Sequence, residues 1–252
     1  MNASRSTIKN LRNFTHMRDI HLSTINCKKV IAKNGKNSSS TRWLTRQLSD
    51  PYVEKSKTMN LRCRSAFKLI EIDDKYRFLT AGQVVIDCGA APGSWTQVAV
   101  KRVNAVALNP QEPRGIVISI DKQPIYPIEG AIIIGNADFT QQETHAKLID
   151  TLQGRKVNVF LSDMAPRASG IKEMDDDKMA DLCYLALRFA LQVCEVNACF
   201  LIKLWQSKYL KDLEQSVSQY FQTFKIVKPL ASRSDSAEIY LLARNFKGLC
   251  KT

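Results

Sequence analysis

Short runs of β-branched residues alternate with stretches of helical character, and that alternation narrows the choice of fold more than any other feature. Gln83–Cys88 (QVVIDC), Gly115–Asp121 (GIVISID), Ala131–Gly135 (AIIIG), Val157–Ser162 (VNVFLS) and Ala198–Leu204 (ACFLIKL) read as strands. Ser94–Arg102, Gln141–Leu152, Asp177–Val193 and Lys208–Phe221 read as helices, the third with Leu182, Leu185, Phe189 and Val193 near one face. Strands interleaved with helices imply an α/β fold, a mostly parallel sheet covered on both faces. Two further strands, Lys225–Val227 and Glu238–Leu242, are separated only by a polar stretch containing Pro229. That is too short for a crossover helix, so these two are expected to pair antiparallel.

The 252 residues suit one domain of about 200 residues plus a tail. No apolar run is long enough to span a bilayer. The net charge is +13, and residues 1–50 carry much of it, with ten Lys/Arg against two acids. A basic chain suits a polyanion such as RNA, because neutralising phosphates releases counterions; charge alone does not separate that from a merely well-solvated surface. Residues 1–40 hold one acid, Asp19, among many Ser, Thr, Asn, Lys and Arg. That composition resembles a mitochondrial transit peptide, with a conceivable amphipathic helix around Ile8–Ile20. A basic RNA-binding tail is the alternative reading. The Gly-Lys-Asn-Ser-Ser-Ser-Thr stretch at 35–41 reads as a linker, and order is expected from Arg42–Trp43. The seven Cys form no CxxC and accompany only three His, which argues for reduced thiols and against a metal site.

One loop carries a ligand signal. Asp87-Cys88-Gly89-Ala90-Ala91-Pro92-Gly93-Ser94-Trp95 joins the first strand to a helix. Small residues at the carboxyl end of a strand let the backbone approach a ligand, where open α/β sheets bind theirs. No Gly-Lys-Ser/Thr follows, so this is no P-loop, and GxGxxG is absent. Asp121, ending the second strand, could accept hydrogen bonds from ribose hydroxyls. Asp138, past the third, could receive an adenine amine. Each acid alone reads equally well as a turn residue; three such features on successive strand ends make the pattern.

That loop resembles the cofactor loop of the FtsJ/RrmJ family of ribose 2′-O-methyltransferases. Arg62-Cys63-Arg64-Ser65-Ala66-Phe67-Lys68-Leu69, Ser162-Asp163-Met164-Ala165-Pro166 and Trp43-Leu44 followed by Asp50-Pro51-Tyr52-Val53 resemble other blocks of the family. The resemblance implies a single Rossmann-like methyltransferase domain over 42–245, a seven-stranded sheet with its last strand antiparallel, a leader and linker over 1–41 and a short tail at 246–252. It implies S-adenosyl-L-methionine as cofactor, lying along Pro92, Gly93, Ser94 and Trp95, with Asp121 on its ribose, Asp138 on its adenine and Asp163 beside it. Together with the basic leader, it points to the branch that methylates a uridine of mitochondrial large-subunit rRNA. The expected partner is then rRNA within a large-subunit assembly intermediate, in the mitochondrial matrix, with no membrane span and no metal.

The resemblance also implies a Lys-Asp-Lys-Glu catalytic tetrad: Lys68, Asp163, Lys203 and Glu238. The chemistry accounts for these residue types. A ribose hydroxyl must lose its proton as it attacks the methyl carbon, and the base must have an unprotonated form available. A second cation favours the neutral form of a lysine, and a carboxylate fixes its geometry. Lys203 is read as the base, Lys68 as its tuning partner, Asp163 and Glu238 as positioning groups. Lys203 is informative without the resemblance, since it interrupts the apolar run ACFLIKLW, where a charge is costly. Lys68 and Glu238 singly read as ordinary surface residues. Four positions depart from the family pattern: Ser94 where Gly is usual, Arg167 where Asn is usual, and Val196 and Asn197 where a Gly-Gly turn is usual.

The tetrad does not distinguish a ribosomal from a tRNA or mRNA-cap ribose methyltransferase; the leader and the WL…DPYV block favour the ribosomal one. A ribosome-assembly factor that keeps the fold without the activity is the reading from another class, against which the intact tetrad stands.

Overall fold

The computed structural model describes Thr45 and residues 47–249. The expected leader, the Ile8–Ile20 helix, the linker and the start of order at Arg42–Trp43 lie outside the described residues. Along the chain come α1 (Pro51–Thr58), α2 (Ala66–Tyr76), β1 (Val84–Cys88), α3 (Ser94–Arg102), β2 (Ile116–Ile120), β3 (Ala131–Ile134) and α4 (Gln142–Leu152). They are followed by β4 (Val157–Ser162), α5 (Lys172–Val193), β5 (Cys194–Trp205), α6 (Leu210–Tyr220), β6 (Phe221–Val227) and β7 (Glu238–Phe246). The strands form one seven-stranded sheet in the order β3-β2-β1-β4-β5-β7-β6. The β1–β2, β1–β4, β2–β3 and β4–β5 pairs are parallel, and β7 runs antiparallel to both β5 and β6.

The period-2 alternation of side chains divides the core into two layers. Ile86, Ile118, Phe160, Phe200 and Leu241 point to one face, under Leu148 of α4, Phe189 of α5 and Leu213 and Val217 of α6. Val85, Val117, Leu161, Leu201 and Tyr240 point to the other, under Leu69 and Ile72 of α2 and Trp95 and Ala99 of α3. The two helices before β1 were not anticipated as such. Asp50 caps α1 by accepting the Tyr52 amide at 3.0 Å, and Pro51 opens the helix, where its missing N–H costs nothing.

Four elements exceed their expected lengths, among them β6, which begins at Phe221 where the preceding helix was expected to end. α5 begins five residues before Asp177, because Asp175 anchors the preceding loop through Ser169 N and Oγ and Gly170 N at 2.7–3.1 Å. Its buried face centres on Met179, Cys183, Ala186 and Ala190 with Phe189 and Val193, while Leu182 and Leu185 are half-buried. β5 starts directly after α5 and bulges between Cys194 and Cys199, and Asn197 takes a left-handed φ of 70° at the position expected to turn. β7 continues to Phe246, one residue beyond the expected domain edge. Among the described residues no helix is long and apolar enough to cross a membrane.

Candidate active site

The parallel strands β1, β2 and β4 end together, and the chain reverses there. Gly89 N bonds Ile120 O at 2.9 Å and Asp163 N bonds Cys88 O at 3.0 Å, so the loops after β1 and β4 run side by side. Gly89 takes φ +76°, and a Cβ there would lie 2.7 Å from Met164 N. Only glycine permits that approach. An open cleft of about 1230 Å³ lies over these strand ends, lined by Gly89, Ala91, Asp121, Gln123, Asp138 and Phe139 along part of its wall and by Asp163, Met164, Arg167, Lys178 and Lys203 along another.

Sheet geometry brings the four tetrad residues together. Lys203 faces Tyr240 across the β5–β7 register, and Glu238 lies two residues before Tyr240, so all three project to the α2–α3 face. Lys68 comes down from α2 onto that face. Lys68 Nζ pairs with Glu238 Oε1 at 2.6 Å; Lys203 Nζ pairs with Asp163 Oδ1 at 3.1 Å and also donates to the Asp163 carbonyl. The two lysine side chains are each 11% exposed, so their Nζ groups are largely withdrawn from solvent and depend on these partners. Lys203 and Asp163 line the cleft; Lys68 and Glu238 stand behind them.

Tyr240 joins the two ion pairs, and sequence reasoning missed it. Its hydroxyl donates to Asp163 Oδ1 at 2.9 Å, and its ring lies 5.9 Å from Lys68 Nζ. Burial, then the charges of Asp163 and Glu238, push its phenol well above the usual range, so it stays a donor. Ser65 Oγ donates to Asp163 Oδ2 at 3.0 Å and Ser232 Oγ to Glu238 Oε1 at 2.9 Å. The one signal available in the sequence was the spacing Glu238-Ile239-Tyr240, which puts two polar groups on one face of a buried strand.

The loop residues expected along a cofactor divide differently. Gly89 and Ala91 line the cleft, whereas Pro92, Gly93, Ser94 and Trp95 do not. Trp95 is a core residue, 2% exposed, donating to Ser65 O at 2.9 Å and packing against Tyr240 at 5.7 Å. Ser94 sits in the first turn of α3 and accepts a bond from Cys63 Sγ at 3.0 Å, so serine fits where glycine is usual. Asp121 accepts Ala91 N at 2.9 Å and Gln123 N at 2.7 Å, which ties the β1–α3 loop to the β2–β3 loop. A carboxylate oxygen has a second acceptor position, so the group can still serve a ligand in the cleft. The amide and hydroxyl of Thr140 hold the carboxyl of Asp138 below the usual carboxylate range, with Lys122 3.5 Å away adding to the effect. Arg167 presents an exposed side chain to the cleft. Among the described residues no cluster of His, Cys, Asp or Glu is placed to hold a metal ion.

The sequence matches the FtsJ-like methyltransferase family over residues 61–246. It is 51% identical over 214 residues to rRNA methyltransferase 2, mitochondrial, of Drosophila melanogaster, spanning 85% of this chain and 86% of that protein. It is 43% identical over 220 residues to ribosomal RNA large subunit methyltransferase E of Ruegeria pomeroyi, spanning 87% and 94% respectively. A crystal structure of a ribosomal RNA methyltransferase from Plasmodium falciparum superposes with a TM-score of 0.66 at 29% identity, covering 75% of this chain and all of the other. On fold, motif order and overall similarity together, the chain belongs to the FtsJ-like methyltransferase family.

Proposed function

We propose that this enzyme transfers a methyl group from S-adenosyl-L-methionine to a ribose 2′-hydroxyl, that of a uridine, in mitochondrial large-subunit rRNA. The observation that carries the reaction type is the pairing of Lys203 with Asp163 at the edge of the cleft, backed by Lys68 with Glu238. The observation that carries the substrate class is the extent of similarity to rRNA methyltransferases across most of the chain.

The residues present fit the donor. Gly89 lets the loops after β1 and β4 close against each other at the floor of the cleft, and Asp121 and Asp138 offer carboxylates past successive strand ends for a ribose and an adenine. Gly89, Ala91, Asp121 and Asp138 line the cleft and are proposed as donor contacts together with the adjoining Pro92–Trp95 run. When bound, S-adenosylmethionine supplies a methyl group made electrophilic by its sulfonium. The protein's part is to place the ribose hydroxyl in line with that carbon and take its proton. Acting from its neutral amine form, Lys203 Nζ accepts the hydroxyl proton, and Asp163, already within 3.1 Å, stabilises the ammonium that forms. Tyr240 and Ser65 fix both oxygens of Asp163. Glu238 holds Lys68 on the same face of the sheet, behind this pair.

The proposed domain plan is a targeting leader and linker over 1–41, which directs the enzyme to the matrix, and the methyltransferase domain from 42 to the end of β7. The target is presented by a large-subunit assembly intermediate. Mapping ribose methylation on mitochondrial and cytosolic rRNA after depletion tests this reading. Loss of a single mitochondrial large-subunit site supports it. Loss confined to tRNA, mRNA caps or cytosolic rRNA overturns it, and unchanged methylation with failed subunit assembly would make the protein an assembly factor without this activity.

A further inference from the structure

The β2–β3 connection carries one wall of the cleft, yet it has little structure of its own. Asp121, Lys122 and Gln123 at its start line the cleft. Beyond them, residues 124–129 adopt neither helix nor strand, and Tyr126 is 81% exposed. Pro124 and Pro127 have no N–H to give. Within this stretch only Ile125 is buried among the hydrophobic residues, with Ile128 partly packed.

One side chain from another element grips it. Arg62, between α1 and α2, donates from Nη1 to Tyr126 O at 2.8 Å and from Nη2 to Pro127 O at 2.7 Å. The same Nη1 donates to Pro92 O at 2.7 Å, in the loop whose Gly89 and Ala91 form the adjoining wall. The guanidinium thus spans both loops behind the cleft, while Asp121 ties them in front by accepting Ala91 N at 2.9 Å. Among the described residues no carboxylate lies within ion-pair distance of Arg62, and its guanidinium donates to three backbone carbonyls. Its backbone is fixed in turn: Arg62 N bonds Gln97 Oε1 at 2.8 Å, and Gln97 Nε2 bonds Asn60 O at 3.0 Å. The fit extends to Gly93, where an added Cβ would lie 2.7 Å from Arg62 Nη1. The glycine leaves the space that the guanidinium fills.

We infer that Arg62 is a positioning residue for the methyl donor, a clamp that holds the Gly89–Ala91 and Asp121–Gln123 walls at the separation the donor requires. The inference rests on reading the cleft as the donor site. A loop held in its binding conformation before the ligand arrives does not lose that ordering free energy on binding. Removing the clamp therefore acts on donor affinity and leaves the reacting groups, Lys203 and Asp163, untouched. A planar fork of donors suits three carbonyls in two loops, and a single ammonium does not replace it.

The test compares full-length Arg62→Met, Arg62→Lys and, as a probe of the cleft itself, Asp138→Ala. The readouts are S-adenosylmethionine and S-adenosylhomocysteine affinity by calorimetry, donor KM and kcat at saturating RNA, and the melting temperature without donor. Arg62→Met should weaken donor binding about tenfold or more, raising donor KM with kcat little changed. Arg62→Lys should lie between it and wild type. Should Arg62→Met fail to fold, Arg62→Lys carries the comparison, since it keeps the stem and charge. Donor affinity near wild type in folded Arg62 variants, with Asp138→Ala impaired, overturns the clamp and leaves the cleft reading intact. Unchanged affinity in all three overturns both.

Discussion

Replacing Asp87 by Asn should make the stability of the protein less dependent on pH, and the structure sets the size of the effect. Asp87, next to last in β1, has no exposed surface, its Oδ2 accepting from Thr96 Oγ1 at 2.7 Å and its Oδ1 without a partner. Burial, opposed by the Thr96 hydroxyl and reinforced by the charges of Asp163 and Asp121, pushes its carboxyl up to about 7 from 3.8. A raised acid is neutral in the fold and ionised in the unfolded chain across that window. Its contribution to stability is whole below about pH 4 and is lost as the pH rises through about 7. The full shift corresponds to about 4 kcal/mol, of which about 2.5 kcal/mol falls between pH 5 and pH 8. Asparagine keeps the shape, can donate to Thr96 and cannot ionise. Urea unfolding of both proteins at pH 5, 6, 7 and 8 should show Asp87→Asn gaining on wild type by about that amount as the pH rises. A stability difference that stays constant with pH would refute the argument that Asp87 is buried as an acid.

Three further outcomes follow from the site. Tyr240→Phe keeps the packed ring and removes the donor to Asp163, so kcat should fall about tenfold with donor affinity within about twofold; unchanged turnover would remove the hydroxyl from the positioning of Asp163. Asp121→Ala cuts two backbone anchors as well as a proposed ribose acceptor, so calorimetry should show weaker donor binding together with a lower melting temperature; unchanged affinity would take Asp121 out of the donor site. A reporter fused to residues 1–45 should enter mitochondria, and retention in the cytosol or nucleus would count against the leader and the mitochondrial substrate together.

Much of this architecture is legible in the sequence because its strands are short, β-branched and buried on both faces. VNVFLS and AIII became β4 and β3 with no residue gained or lost at their starts. The antiparallel end followed from the short link between β6 and β7. What escaped has identifiable causes. KEMDD shows no apolar periodicity, so the first turn of α5 depends on Asp175 bonding back to Ser169 and Gly170, a contact visible only in three dimensions. Trp95 sits in a ligand-like motif and yet faces the core, because its place in the first turn of α3 directs it between that helix and Tyr240. Lys203 stood out as a charge in an apolar strand. Lys68 and Glu238 did not, since their pairing joins a helix and a strand 170 residues apart. Arg62 gave no signal of its own, because its acceptors are backbone carbonyls, which every residue carries.

The most direct test of the account is single-turnover methyl transfer by Lys203→Arg on large-subunit particles lacking the modification, with ribose methylation read as resistance of the backbone to alkaline cleavage. Arginine retains the charge and can still pair with Asp163, but a guanidinium cannot take up a proton near neutral pH. The account predicts donor binding close to wild type and transfer reduced by at least about a hundredfold, the scale of a lost general base. Transfer by Lys203→Arg at the wild-type rate would contradict it, and would leave positioning and electrostatics as the whole of the catalysis.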